Sequence, residues 1–254
     1  MYFDAHAHLD DEAFAEGLED VLPAIVAAGV EGVVNAACDI DSTHTSGALS
    51  RQVPFIWCTA GVHPHYAESV TDDMLGEIAE ATKNPKCVAY GEIGLDYHYD
   101  FSPRDVQRAA FVKQLALAHE LHLPVVLHLR ECYQDANEIL LSNRSLITDG
   151  VLLHCYSGSM ELVRDVYNGL DCYYSFGGAV TFAKHKDEVL RAIPRERLLL
   201  ETDCPYMTPV PFRGQRNTPA NIPIICAKVA ELLGEDTEQI ARQTTANAKR
   251  FYRI

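Results

Sequence analysis

No stretch of the 254 residues approaches the roughly 18 consecutive apolar residues that a membrane-crossing helix requires, so a spanning helix is excluded. The opening Met1-Tyr2-Phe3-Asp4-Ala5-His6 carries an acid at its fourth position and has neither a basic region nor an apolar core. It does not read as a signal peptide, and a cytoplasmic protein is expected. No two of the eight cysteines, at 38, 58, 87, 132, 155, 172, 204 and 226, stand in C-x-x-C spacing, which excludes a zinc ribbon or a dithiol redox motif. Reduced, buried thiols are the expectation. Low-complexity tracts are absent as well. With 48% hydrophobic and 22% charged residues, the composition is that of a folded globule rather than a disordered, collagen-like or coiled-coil chain.

Positive charge is scarce. Lys and Arg number 21 against 36 Asp and Glu, for a net charge of −15. A protein that coats duplex nucleic acid by bulk electrostatics is basic, so that class is disfavoured. The deficit is uneven: residues 1–127 carry 6 basic and 20 acidic side chains, residues 128–254 carry 15 and 16. An anionic partner therefore meets the second half, or meets bound cations.

What is present is a regular alternation. Strand-like runs fall at 1–5, 30–36, 55–60, 87–91, 124–127, 150–153, 171–176 and 197–202, several of them continuous Val/Ile/Leu stretches suited to a sheet covered on both faces. Helical periodicity lies between them. Phe14, Leu18, Leu22 and Ile25 trace one apolar face that stops at Gly29. Phe111, Leu115, Ala118 and Leu121 trace another, opened by Ser102 as cap and Pro103 at the first helical position. Eight such units in about 250 residues predict an α/β fold of the (β/α)8 TIM-barrel type, one domain over 1–254, with residues 219–254 forming two closing helices. A doubly wound open sheet would show a Gly-rich turn after its first strand; this chain has His6-Ala7-His8-Leu9-Asp10 there.

The ligand-type side chains cluster at one end of that barrel. His6 and His8 close the first predicted strand, Glu92 the fourth, His128 the fifth, His154 the sixth and Asp203 the eighth, while His63 follows the third. Reactive groups of such barrels sit at the C-terminal ends of the strands. A lone histidine there is usually a packed or hydrogen-bonded residue; convergence from five strands is the signal. His6 and His8, two apart in extended backbone, project to one face. Four imidazoles and two carboxylates suit Zn²⁺, Mn²⁺ or Fe²⁺, and Mg²⁺ less naturally. Six ligands exceed the three of a single catalytic zinc, whereas two cations about 3.5–4 Å apart sharing a carboxylate would use them all. Glu201, two before Asp203 and so expected on the same face of the strand, either hydrogen-bonds a ligand or buried group or meets metal itself. His63, ahead of His65 as a candidate, is placed to touch a phosphate or the attacking water. Arg213 and Arg216, which frame Gly214-Gln215, with Lys184 and Lys186, offer cations in the loops after strands seven and eight. Cys155 and Cys204 point away from their ligand-type neighbours on an ideal strand.

In order and spacing, Asp4-Ala5-His6-Ala7-His8-Leu9, Gly61-Val62-His63-Pro64, Gly91-Glu92-Ile93-Gly94-Leu95-Asp96-Tyr97, His154-Cys155-Tyr156-Ser157-Gly158 and Glu201-Thr202-Asp203-Cys204-Pro205-Tyr206 together resemble the TatD family of metal-dependent deoxyribonucleases, within the wider metal-dependent hydrolase barrels. The resemblance implies a bimetal site supported by Mg²⁺ or Mn²⁺, with His6, His8, Glu92 and Asp203 on one ion and Glu92 bridging to a second at His128 and His154. It further implies 3′–5′ exonuclease action on single-stranded DNA. Asp203 is the expected acceptor of the water's proton, assisted by Glu201, and a monomer is expected. Two departures stand out: Asn217-Thr218-Pro219 where the family often has Asn-Glu-Pro, and Glu131-Cys132 after His128-Leu129-Arg130 where it often has an acid and alanine. The rival reading is a deacylase or amidohydrolase acting on an ester or amide, a small molecule or an aminoacyl-tRNA. Many amidohydrolase barrels place a carboxylated lysine on strand four where this chain has Glu92, which favours the nuclease. A binding protein without catalysis would have no use for six clustered ligands.

Overall fold

In the computed structural model, which describes residues 1–254, eight parallel strands pair in sequence order. They are β1 (Tyr2–Ala7), β2 (Val30–Asn35), β3 (Ile56–Ala60), β4 (Cys87–Asp96), β5 (Val125–Arg130), β6 (Val151–Leu153), β7 (Tyr173–Phe176) and β8 (Leu198–Leu200). Parallel neighbours require a crossover, and helices supply it: α1 (Leu18–Ala27), α2 (Ile40–Gln52), α3 (Asp72–Ala81), α4 (Arg104–Glu120), α5 (Tyr133–Ser142), α6 (Met160–Asp165) and α7 (Lys186–Ala192). After β8 come α8 (Ile222–Leu233) and α9 (Thr237–Tyr252). The fold is the expected (β/α)8 barrel.

Strand alternation divides the core in two. Val125 and Leu127, Val151 and Leu153, and Leu198 and Leu200 face the helical layer. Between them Val126, Leu152 and Leu199 point into the lumen, where they join Phe3, Ala5, Val34 and Tyr173. Ala248, Phe251 and Tyr252 of α9 belong to that inner cluster, so the last helix plugs the barrel. The Tyr252 hydroxyl donates to the Ala5 carbonyl at 2.7 Å, and the Asn247 amide donates to the carbonyls of Arg195 and Leu198 at 2.7 and 2.8 Å.

The seam between β1 and the chain beyond β8 closes through backbone and one buried carboxylate. Asp203 N–H donates to His6 O and His8 N–H to Cys204 O, at 2.9 and 2.8 Å. Asp4, fully buried, accepts from the Thr202 amide at 2.9 Å and its hydroxyl at 2.5 Å.

Several boundaries differ from expectation for local reasons. β4 runs to Asp96, five residues past its predicted end, because Gly91 and Gly94 let it press against β5: a Cβ at Gly94, whose φ is +139°, would fall 2.1 Å from the His128 carbonyl oxygen. Ser102 does not cap α4. Pro103 holds the cap position, and the Ser102 hydroxyl donates instead to the His65 carbonyl at 2.9 Å. Phe14 lies outside α1 in a separate turn, the left-handed Gly17 (φ 88°) dividing the two.

Candidate metal centre

β1 shifts its pairing with β2 between Asp4 and Ala7. That slip lets Phe3 and Ala5 fill the lumen while His6 and His8 converge above it on Glu92. Glu92, 2% exposed, is the hub. Its Oε2 lies 3.3 Å from His6 Nε2 and 3.7 Å from His8 Nε2. Its Oε1 lies 2.7 Å from His154 Nε2, 3.0 Å from His128 Nδ1 and 3.7 Å from His63 Nε2. Asp203 Oδ1 completes the first group at 3.5 Å from His8 and 3.9 Å from His6. All six residues expected as ligands are thus brought together, and His63 lies beside Glu92 as well.

Nitrogen atoms also crowd one another. His6 Nε2 and His8 Nε2 are 3.2 Å apart, and His128 Nδ1 and His154 Nε2 are 3.3 Å apart. The other nitrogens fix which lone pair faces inward. His8 Nδ1–H donates to the Ala36 carbonyl at 3.1 Å and His128 Nε2–H to Asp96 Oδ2 at 2.9 Å. His154 Nδ1 is buried without a hydrogen-bond partner, 3.8 Å from Glu201 Oε2. Lone pairs aimed at shared points repel unless a cation or proton lies between them. The donor set therefore fits divalent metal.

His63 plays a different part. Its Nδ1 accepts from the His65 amide at 3.1 Å, which leaves the proton on Nε2, directed at Glu92. Burial, reinforced by His128, holds its pKa well below the ordinary value, so it is a neutral N–H donor at neutral pH. Burial likewise holds His6 down to about 4. For Glu92 burial works the other way, but His154, His6 and His63 outweigh it and hold the carboxyl well below the usual range. Burial also opposes the protonation of His154, yet Glu92 lifts it to about 9. For Asp203 burial is overcome by His8, His154 and His6, and the group stays ionised.

Glu201 does not share the pleat with Asp203. β8 ends at Leu200, and Asp203 has a left-handed φ of 53°, which breaks the two-residue alternation. Glu201, fully buried, accepts from the Cys155 amide and is bonded to the Ser175 hydroxyl, each at 2.6 Å. Burial pushes it up to about 8. Its place is behind His154, with the carboxyl group anchoring the turn that carries this imidazole. Arg213 and Arg216 are exposed and engaged elsewhere: Arg213 donates to the Thr208 carbonyl over the Phe182 ring, Arg216 to the Ala13 carbonyl over the Phe14 ring. Cys155 and Cys204 do not join the converging groups.

Two residues escaped the sequence reading. Asp96, fully buried, accepts from His128 and, at 3.0 Å, from His65 Nε2–H, as well as from the amides of His98 and Tyr99. These bonds overcome its burial and hold its carboxyl far down. Asp96 ends β4 four residues after Glu92, and an acid at a strand's C-terminal end was the available signal. Cys38, just past β2, completes a group with His8 and Glu92, its Sγ 3.8 Å from His8 Nδ1.

Buried imidazoles and carboxylates at the strand ends of a (β/α)8 barrel define a metal-dependent hydrolase. Comparison with known proteins narrows the class. The family model described as TatD related DNase matches residues 3–253. YabD of Bacillus subtilis, described as an uncharacterized metal-dependent hydrolase, is 41% identical over 256 residues, covering all of both chains. The protein named 3'-5' ssDNA/RNA exonuclease TatD in Klebsiella pneumoniae is 36% identical over 259 residues, covering 99% of this chain and 98% of that one. The crystal structure of YjjV, a TatD homologue of Escherichia coli, superposes with a TM-score of 0.92 at 29% identity, covering 100% and 98% of the two chains. The chain belongs to the TatD family.

Proposed function

We propose that this chain is a two-cation phosphodiesterase that shortens single-stranded nucleic acid, DNA in the first instance, from its 3′ end. One observation carries the reading: the two oxygens of Glu92 face different imidazole pairs, Oε2 towards His6 and His8, Oε1 towards His128 and His154. Glu92 so placed would help to hold two ions, one with His6, His8 and Asp203 and the other with His128 and His154. Mg²⁺ or Mn²⁺ is the proposed pair, and the imidazole-rich set accommodates Zn²⁺ as well. Such ions, when bound, supply a water acidic enough to attack near neutral pH and offset charge on the phosphoryl oxygens.

The chain's own residues do the rest. Asp203, ionised and at the rim of the cluster, accepts the proton of the attacking water. His63 offers its Nε2–H to a phosphoryl oxygen. Asp96 and Glu201 hold His128 and His154 in register, and Glu201 acts on the proton through that placement rather than by direct contact. Arg213 and Arg216 raise the potential of the mouth, since their guanidinium groups already lie on loop carbonyls. The substrate class is supported by the relatives named as ssDNA/RNA exonucleases. A net charge of −15 fits local cations as the source of attraction for a polyanion. A monomer acting in the cytoplasm through one domain, residues 1–254, completes the proposal.

The test is to strip the protein with chelator, restore Mg²⁺ or Mn²⁺, and offer single-stranded oligodeoxynucleotides beside acyl esters and amides. Metal-dependent shortening from the 3′ end, reduced about a hundredfold or more in Asp203→Asn, is the expected result. Intact DNA with a cleaved acyl ester would instead establish the deacylase reading.

A further inference from the structure

The exposed aromatic side chains are not scattered. Tyr66, Tyr99, Phe101, Phe182, Tyr206 and Phe212 all lie in loops that follow the C-terminal end of a strand, on the face that carries Glu92 and its imidazoles. The other exposed large apolar residues are aliphatic. Rings left in water on one face, around a polar site, mark a contact surface rather than a core.

Tyr99 and Phe101 form a pair beside the centre. They stack on one another with centroids 5.3 Å apart and 24° between planes, and are 49% and 64% exposed. His65 packs edge-on against both, at 5.4 and 4.8 Å. The same His65 donates to Asp96, which holds His128. One imidazole and one carboxylate therefore separate the aromatic pair from the metal cluster. Arg130, at the end of β5, lies over Tyr99 with its guanidinium 4.9 Å from the ring centroid.

We propose that Tyr99 and Phe101 form a stacking platform for unpaired nucleobases of the substrate strand, beside the phosphate being cleaved; the proposal rests on the nucleic-acid reading of this site. Several observations point to this occupant. Phe101, the more exposed of the two, presents an apolar ring beside an Arg130-covered Tyr99, which matches a base's π-face and not its edge. Arg130 adds the cation that a nucleic-acid backbone requires in a chain that is otherwise acidic. Base–aromatic stacking is open only to strands whose bases are already apart, so the platform favours single strands over duplex and is tolerant of sequence.

The test compares an octadeoxynucleotide with the same strand bearing tetrahydrofuran abasic residues at its last two 3′ positions, using metal-loaded wild type, Tyr99→Ala, Phe101→Ala and Phe101→Trp. Wild type is expected to prefer the normal strand about tenfold in kcat/KM, the difference residing in KM. In the two alanine variants this ratio falls towards one, and Phe101→Trp restores it. Equal losses on both strands, or an unaltered ratio in the alanine variants, would overturn the platform. Wild type that cleaves neither strand overturns the nuclease reading, and this inference falls with it; cleavage with an unaltered ratio overturns the platform alone.

Discussion

Without metal, the centre should make stability fall as pH rises. Five buried imidazoles and carboxyls keep their protons above the ordinary range: His154 to about 9, where Glu92 outweighs burial, His8, where Cys38 and Asp203 outweigh it, His128, where Asp96 and Glu92 do, and Glu201 to about 8 and Asp4 to about 7, where burial prevails. His6 and His63, pushed down by burial, and Glu92 and Asp203, held low despite it, titrate below pH 6.5 and add little above it. Between pH 6.5 and 9 the folded chain thus binds more protons than the unfolded one, and the free energy of unfolding drops with pH. A raised imidazole gives its full stabilisation below its unfolded value near 6.5 and none above its folded value. For His154 that interval is worth about 3 kcal/mol at roughly 1.36 kcal/mol per pH unit. A raised carboxyl works in the same direction, and Glu201 adds about 2 kcal/mol between pH 6.5 and 8. For a chain of this size the loss from His154 and Glu201 alone lowers the thermal midpoint by about 10 °C, and His8 and His128 act in the same direction. Glu92→Gln removes the charge that lifts His154 and part of what lifts His128, so the slope should shrink, leaving what Glu201, Asp4 and His8 supply. Urea unfolding of chelator-treated protein at pH 6.5, 7.5 and 9 measures both. Metal-free wild type equally stable at 6.5 and 9, or Glu92→Gln with the wild-type slope, would refute the reasoning.

Asp96→Asn leaves the shape intact but deprives His128 and His65 of their anionic acceptor, and should weaken metal binding and activity about 10- to 100-fold; titration calorimetry with Mn²⁺ checks this, and unchanged affinity would contradict it. Gly94→Ala sets a methyl against the His128 carbonyl, so β4 and β5 must part; the variant should lose several kcal/mol in urea unfolding, roughly 3 or more, and His128 should shift with it.

The ligand set was legible because its logic is one of position and type together: an imidazole or carboxylate at the end of each of several strands. What lay one step behind was not. Asp96 looked like one more acid in a chain with 36, and its meaning arises only because glycines at 91 and 94 let β4 run on beside His128. Glu201 was misaligned by assuming an extended backbone through Asp203, where φ turns positive. Ser102 had the residue types of a helix cap, but the His65 carbonyl competes for its hydroxyl. Pattern registers what the local backbone prefers, and these three depend on a neighbour distant in sequence.

The seam joining β1 to the segment after β8 has a consequence for the life of the chain. His6 emerges from the ribosome almost two hundred residues before Asp203, and the plug of α9 arrives later still. Until then the first strand has no partner along that edge, and the donors for one ion are divided between synthesised and unsynthesised protein. The nascent polypeptide is accordingly inert, and hydrolytic power appears in a single late step, when tail meets head.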